Sequence, residues 1–273
     1  MKQEFSDKDF TIDLFPINRR KQFGFVLKHN WKRFLFLGFI LLLFSIPLIL
    51  SFVFKDLRAV KIANSGEENI TSLLFINELF FALFIIPSFA IFFVGLSGIF
   101  RIFRNLAWSE GILYKQDYLI GIKQNGLFFF IESLMFSIGY YASYLLSFYI
   151  NISFVRYIPL ALFLLIVIPV LFIKLSMISI YKNSFAKFIV NSIKIYVKKP
   201  LHLWVSEIVI LLIPIVLLIF PMLLIVKYIV LIIYIFLMLP IICFAYQLLC
   251  IHIFDELINK ENHEEIYKKG LFK

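Results

Sequence analysis

The sequence predicts an all-α integral membrane protein: six transmembrane helices arranged as three repeated α-hairpins, each preceded by a basic amphipathic segment. Three observations predict it. The 273 residues are 62% hydrophobic and only 16% charged, with a mean hydropathy of +0.95, whereas a soluble domain is about half apolar and about a quarter charged. The apolar residues fall into six runs, each of roughly 20 or more residues, the length a helix needs to cross the hydrocarbon core. Two sequence anchors, a lysine before each odd run and a proline within each even run, recur three times in the same order.

Residues 1–30 read as a polar cytoplasmic leader with Arg19, Arg20, Lys21 and Lys28 near its end. It mixes acids and bases and is too polar for a cleavable signal peptide. Residues 31–54 are the first span, and Trp31 suits an interfacial anchor. Residues 55–72 read as a polar loop. The second span, 73–103, is longer than required and is interrupted by Pro87, Gly95 and Gly98. Residues 104–126 return as a polar segment with an amphipathic end.

Residues 127–150 and about 156–180 form the central hairpin, joined by the short link 151–154. Residues 183–199 have helical periodicity, with Phe185, Phe188, Ile189, Ile193 and Tyr196 on one face and Lys187, Asn191, Lys194 and Lys198 on the other. That pattern is an interfacial helix. Spans at 203–225 and 228–254 follow, with Lys227 between them, and then a charged cytoplasmic tail, 255–273. The chain is thus one membrane domain over 31–254, with repeats at about 22–103, 116–182 and 183–254.

The repeat anchors are Lys28, Lys123 and Lys198, each ahead of an odd span, and Pro87, Pro169 and Pro240, each near the middle of an even one. A mid-span proline frees a carbonyl that neighbouring helices must satisfy. Orientation follows from the bases. With both termini inside, only Lys55, Arg58, Lys61, Arg156 and Lys227 fall outside and Lys174 within a span; the rest of the 27 bases fall inside. The net charge of +10 therefore reads as topology plus attraction to anionic headgroups, with no nucleic-acid partner. The 35 phenylalanines, with abundant Ile, Lys and Asn, fit an AT-rich bacterial genome, and the location expected is the bacterial plasma membrane. Cys243 and Cys250 lie in the last apolar run and exclude a disulfide framework.

Residues 87–90 (Pro-Ser-Phe-Ala), 103–111 (Phe-Arg-Asn-Leu-Ala-Trp-Ser-Glu-Gly) and 117–125 (Asp-Tyr-Leu-Ile-Gly-Ile-Lys-Gln-Asn) together resemble the YesL-like family of small Gram-positive membrane proteins. The resemblance covers about 81–147. It implies a plasma-membrane protein without an established biochemical activity, often found alongside carbohydrate uptake systems and so beside a transporter complex. It supplies no catalytic residues.

The candidate binding residues form a polar layer. Glu132 follows Lys123 by nine residues and Glu207 follows Lys198 by nine, so both carboxylates sit about 13 Å along their helices from the aligned lysine. Repeat one has Leu37 there. Lys174 and Gln247 lie eight residues from Lys182 and Asp255, which places them at a similar depth. An unpaired charge there costs about 2.5–3.5 kcal/mol on insertion scales. Two readings stay open: a polar pocket for a proton, ion or headgroup, and a structural ion pair or snorkelling side chains.

Lys187, Lys194, Lys198 and Lys199 form a second candidate, a headgroup-facing surface. Cys243, Cys250 and His252 lack a fourth metal ligand, and no metal or cofactor is expected. No phosphate-binding glycine loop, His-Glu-x-x-His or serine nucleophile turn occurs. The function expected is a non-enzymatic accessory or scaffold, linked by the resemblance to carbohydrate uptake. The alternative is a small transporter or lipid-binding protein that uses the Glu132–Lys174–Glu207 layer.

Overall fold

The computed structural model describes residues 16–66, 68–150, 152, 154–219 and 223–271. The first half of the expected leader, with Lys2 and Lys8, lies outside the described residues, as do Asn151 and Ser153 of the central link and the last two residues of the tail. Among the described residues there is no strand. The elements are α1 (Arg19–Ala63), α2 (Ile70–Ala107), α3 (Tyr114–Tyr149), α4 (Val155–Ile180), α5 (Phe185–Lys198), α6 (Pro200–Ile219) and α7 (Leu224–Asn262). All but α5 are long and apolar enough to cross a membrane. Leu83, Leu127 and Ile225 are at least 70% exposed while Glu132, Ser133 and Gln247 are fully buried. That inversion suits a hydrocarbon solvent, where packing and internal polar contacts hold helices together. The protein is an all-α, multi-pass membrane protein.

The helices run further than the apolar runs alone indicate. α1 begins at Arg19, with the Asn18 side chain accepting from the Lys21 N–H at 2.8 Å, and bends at Asn30 (φ −122°, ψ 16°). It continues past residue 54 to Ala63 because its polar end is held from other helices. Asp56 accepts from Lys227 Nζ at 2.5 Å and Lys55 pairs with Glu78 at 2.9 Å. The glycines of α2 do not interrupt it; they admit neighbours. A Cβ on Gly98 would lie 2.4 Å from the Tyr118 ring. The three aligned lysine segments also end differently: a bend at Asn30, unbroken helix through Asn125, and a break at Lys199 between α5 and α6.

The helices close into a ring, α1–α2–α3–α4–α6–α7–α1, with α5 against α4 and α6. α2 is the hub: it also touches α4 and α7, and its length from Gly95 to Ala107 is almost wholly buried. Phe34, Phe103 and Phe244, from α1, α2 and α7, meet there with ring centroids 5.4–6.0 Å apart. Such pairs add about 0.5–1.5 kcal/mol each beyond packing.

Prolines shape the even helices. π-helical turns, Phe163–Val167 and Tyr234–Met238, directly precede Pro169 and Pro240. A proline donates nothing to the carbonyl four residues back and its ring crowds that oxygen, so the turn widens. The freed oxygens are claimed from other helices. Leu165 O accepts from Tyr196 Oη and Trp204 Nε1, each at 2.8 Å. Ile210 O, freed by Pro214, accepts from Tyr234 Oη at 2.5 Å. Phe236 O, freed by Pro240, lies where a Cβ on Gly38 would be only 1.8 Å away, so only glycine lets α1 approach. Pro87 sits in a regular stretch of α2 without a π turn.

Candidate functional site

Three polar constellations cluster toward the end of the bundle that carries most of the bases, called here the basic end. The deepest joins two of the layer residues. Glu132 of α3 and Lys174 of α4 are buried, and Nζ sits 2.8 Å from Oε2. The contact is an ion pair, outside the angular range of a well-formed hydrogen bond, and Oε1 has no partner among the described residues. The ammonium also faces the Phe185 ring, 5.6 Å from its centroid. The pair forms because α3 and α4 are packed neighbours and each carries its charge on the inner face.

The other two layer residues are not brought to it. Gln247 of α7 donates through Nε2 to Ser179 Oγ at 3.0 Å. Ser179 lies five residues beyond Lys174, or about 7.5 Å along the helix, so Gln247 belongs to a shallower contact. Counting from the ends of spans misses this, because α4 ends in extended backbone at Tyr181 while α7 runs on as helix to Asn262. Glu207 of α6 is 6% exposed and has no hydrogen bond or ion pair among the described residues. α6 packs against α7, where the buried Tyr246 hydroxyl likewise has no hydrogen-bond partner among the described residues.

The second constellation is a clasp at the basic end. Arg19 pairs with Asp255 at 2.9 Å, both side chains 6% exposed. Arg19 Nη1 also donates to the carbonyls of Ala107 and Lys269 at 3.0 Å, and Gln22 Nε2 donates to Ala107 O at 2.7 Å. Asp255 accepts from Asn259 Nδ2 at 2.9 Å and from the Lys268 N–H at 3.2 Å. Tyr181 Oη donates to Asn259 Oδ1 at 2.5 Å. Burial, then the Asp255 charge, holds the Tyr181 phenol above the ordinary tyrosine range, so it remains a donor. Gly270 has φ +80°, a conformation side chains rarely adopt, and its Cβ would strike Ala107 O at 2.3 Å. The clasp therefore ties α1, the end of α2, α4 and the tail together. Sequence reading missed it: Arg19 counted only as one more base. The available signal was Asp255 and Asn259 one helical turn apart, followed by a glycine.

The third is α5. Taking 100° per residue, its surroundings divide into three sectors. Phe188, Ser192 and Ile195 are buried against the bundle, displacing the expected apolar face by part of a turn. Val190, Ile193 and Val197 are 47–70% exposed and form an outward apolar stripe about 170° away. Ile193 thus belongs to that stripe rather than to the packed face. Lys187, Lys194 and Lys198 lie together near 260°, all exposed. Lys199 leaves the predicted lysine surface: past the last helical turn, at φ −136° and ψ 47°, it reaches back to Glu256 at 3.0 Å.

Among the described residues no group of three or more His, Cys, Asp or Glu side chains is placed to hold a metal ion. Comparison with protein-family models, with curated proteins and with solved structures finds no match to this chain.

Proposed function

We propose that this protein is a non-enzymatic scaffold of the bacterial plasma membrane, both termini cytoplasmic, whose basic end holds anionic lipid. One observation carries the reading: α5 is fixed to the bundle by one sector while a second is apolar and exposed and a third is a row of exposed lysines that have no ion pair among the described residues. A helix so divided lies in the headgroup plane, with its stripe toward the acyl chains and its lysines toward phosphates. Each base near an anionic surface contributes about 1 kcal/mol. The buried charges Arg19–Asp255 and Glu132–Lys174 are meanwhile paired internally, which suits a rigid frame. The partner class implied by the resemblance to YesL-like proteins is a carbohydrate importer in the same membrane.

The test is lipid selectivity. Spin-labelled phosphatidylglycerol should be enriched around the reconstituted protein relative to phosphatidylcholine. Lys194→Gln with Lys198→Gln should cut that preference by about fivefold for each base at low salt. An unchanged preference in the double variant would sink the reading.

Glu207 favours a second reading, a small transporter, because it is an ionisable residue buried in a span with no partner among the described residues, and such a residue marks a proton or ion path by default. Proteoliposomes distinguish the two. A scaffold holds an imposed proton gradient, and Glu207→Gln changes nothing. Collapse of the gradient by the wild type but not by Glu207→Gln would replace the scaffold by a transporter.

A further inference from the structure

We propose that the groove where α5 meets α2, α3 and the end of α4 binds the phosphate of a single anionic phospholipid. This rests on the lipid-engaging reading of the basic end and assigns it one defined site. The groove has a volume of about 530 Å³ and is lined by Arg104, Lys182 and Lys187 together with the amides of Gln124, Asn125 and Asn183. Three cations and three amides converge there, and among the described residues no carboxylate lines it.

Arg104 and Gln124 are held in place by contacts that leave donors free for an anion. Arg104 Nη1 donates to Ser179 O at 3.2 Å and Nη2 to Asn105 Oδ1 at 2.8 Å, with the guanidinium 4.9 Å from the Trp108 ring centroid. It has no salt bridge among the described residues. Gln124 Oε1 is taken by Arg101 Nη1 at 2.5 Å, so what Gln124 has left to offer is its NH₂. Lys182 and Lys187 are exposed and, among the described residues, unpaired. Arginine and lysine donors of this kind form strong charge-assisted bonds with phosphate oxygens.

The apolar wall selects a lipid over a soluble phosphate. Phe128 and Phe188 line the same groove, 5.9 Å apart, and Phe128 stacks parallel to Phe185 at 6.1 Å. The outward stripe Val190, Ile193 and Val197 runs along the same helix. A headgroup seated among the donors would thus send its glycerol and first acyl carbons over aromatic rings into the hydrocarbon beside α5. Ser184 makes no side-chain cap, so the first N–H groups of α5 also remain available to an anion.

The experiment is native mass spectrometry of the purified full chain in detergent, with phosphatidylglycerol, phosphatidylcholine and inorganic phosphate as separate arms. One phosphatidylglycerol should bind per chain in preference to phosphatidylcholine. Lys182→Gln with Lys187→Gln, two exposed positions that leave the fold intact, should weaken it about thirtyfold. Lys194→Gln with Lys198→Gln should leave that one lipid bound, so this site and the broader α5 surface are tested by disjoint variants. Unchanged binding in the Lys182/Lys187 variant, or equal binding of phosphatidylcholine, overturns the site. Inorganic phosphate bound with the same lysine dependence, and phosphatidylglycerol not bound, overturns the lipid assignment in favour of a soluble phosphate ligand.

Discussion

Replacing Lys174 by methionine should destabilise the protein by about 3–5 kcal/mol, and adding Glu132→Leu should recover most of the loss. The first change leaves a carboxylate that is fully buried and has no other partner among the described residues. The second removes that stranded charge and substitutes side chains of similar size. Buried ion pairs behave in this asymmetric way because desolvation of each ion is offset only by its partner. The measurement is thermal unfolding of the detergent-solubilised variants, compared as a double-mutant cycle. If Lys174→Met unfolds with the wild type, the pair is not closed in solution, and the ammonium must reach the interface instead.

Arg19→Met should be comparably damaging, again by about 3–5 kcal/mol, but no second substitution should rescue it. Arg19 serves Asp255, Gln22 and the carbonyls of Ala107 and Lys269 at once. Arg19→Met with Asp255→Leu removes the unpaired charge yet leaves Lys269 O without the Arg19 donor and Ala107 O with Gln22 Nε2 alone, and also takes from Asn259 and the Lys268 N–H their acceptor. Each buried polar group so orphaned costs about 1–3 kcal/mol. The local consequence is release of residues 263–271, read as trypsin cleavage at Lys268 and Lys269 in Arg19→Met before the bundle itself unfolds. A tail as protease-resistant as that of the wild type would show that the clasp does not hold it.

The contrast between these variants explains how much of the molecule was legible beforehand. The Glu132–Lys174 pair could be anticipated because two opposite charges stranded in apolar runs have few ways to avoid a large penalty. Their depth was countable from span ends, and α3 and α4 are consecutive helices. Gln247 was misjudged by the same arithmetic, because α7 continues as helix well past Phe254. Glu207 lies on α6, which touches both α4 and α7, yet among the described residues it forms no ion pair and so does not join Glu132 and Lys174. The clasp left only the Asp255–Asn259 spacing and the following glycine to read, because its other bonds join residues up to 250 positions apart through backbone carbonyls, which carry no sequence signature.

Composition and periodicity by themselves determined that lipid is the solvent, that six helices cross it, and that the stretch before the fifth span is an amphipathic helix. These follow from chain-local physics: the length of an apolar run against the bilayer, and the 3.6-residue period of lysines and apolar side chains. Tertiary structure decided the rest. It chose which carbonyl freed by proline meets which tyrosine, turned α5 so that Ile193 faces outward, drew Lys199 to Glu256, and gathered Arg104, Lys182 and Lys187 around one groove. Rotation of a helix about its own axis and the choice of its neighbours cost little within any one segment. They are fixed only when all the helices pack at once.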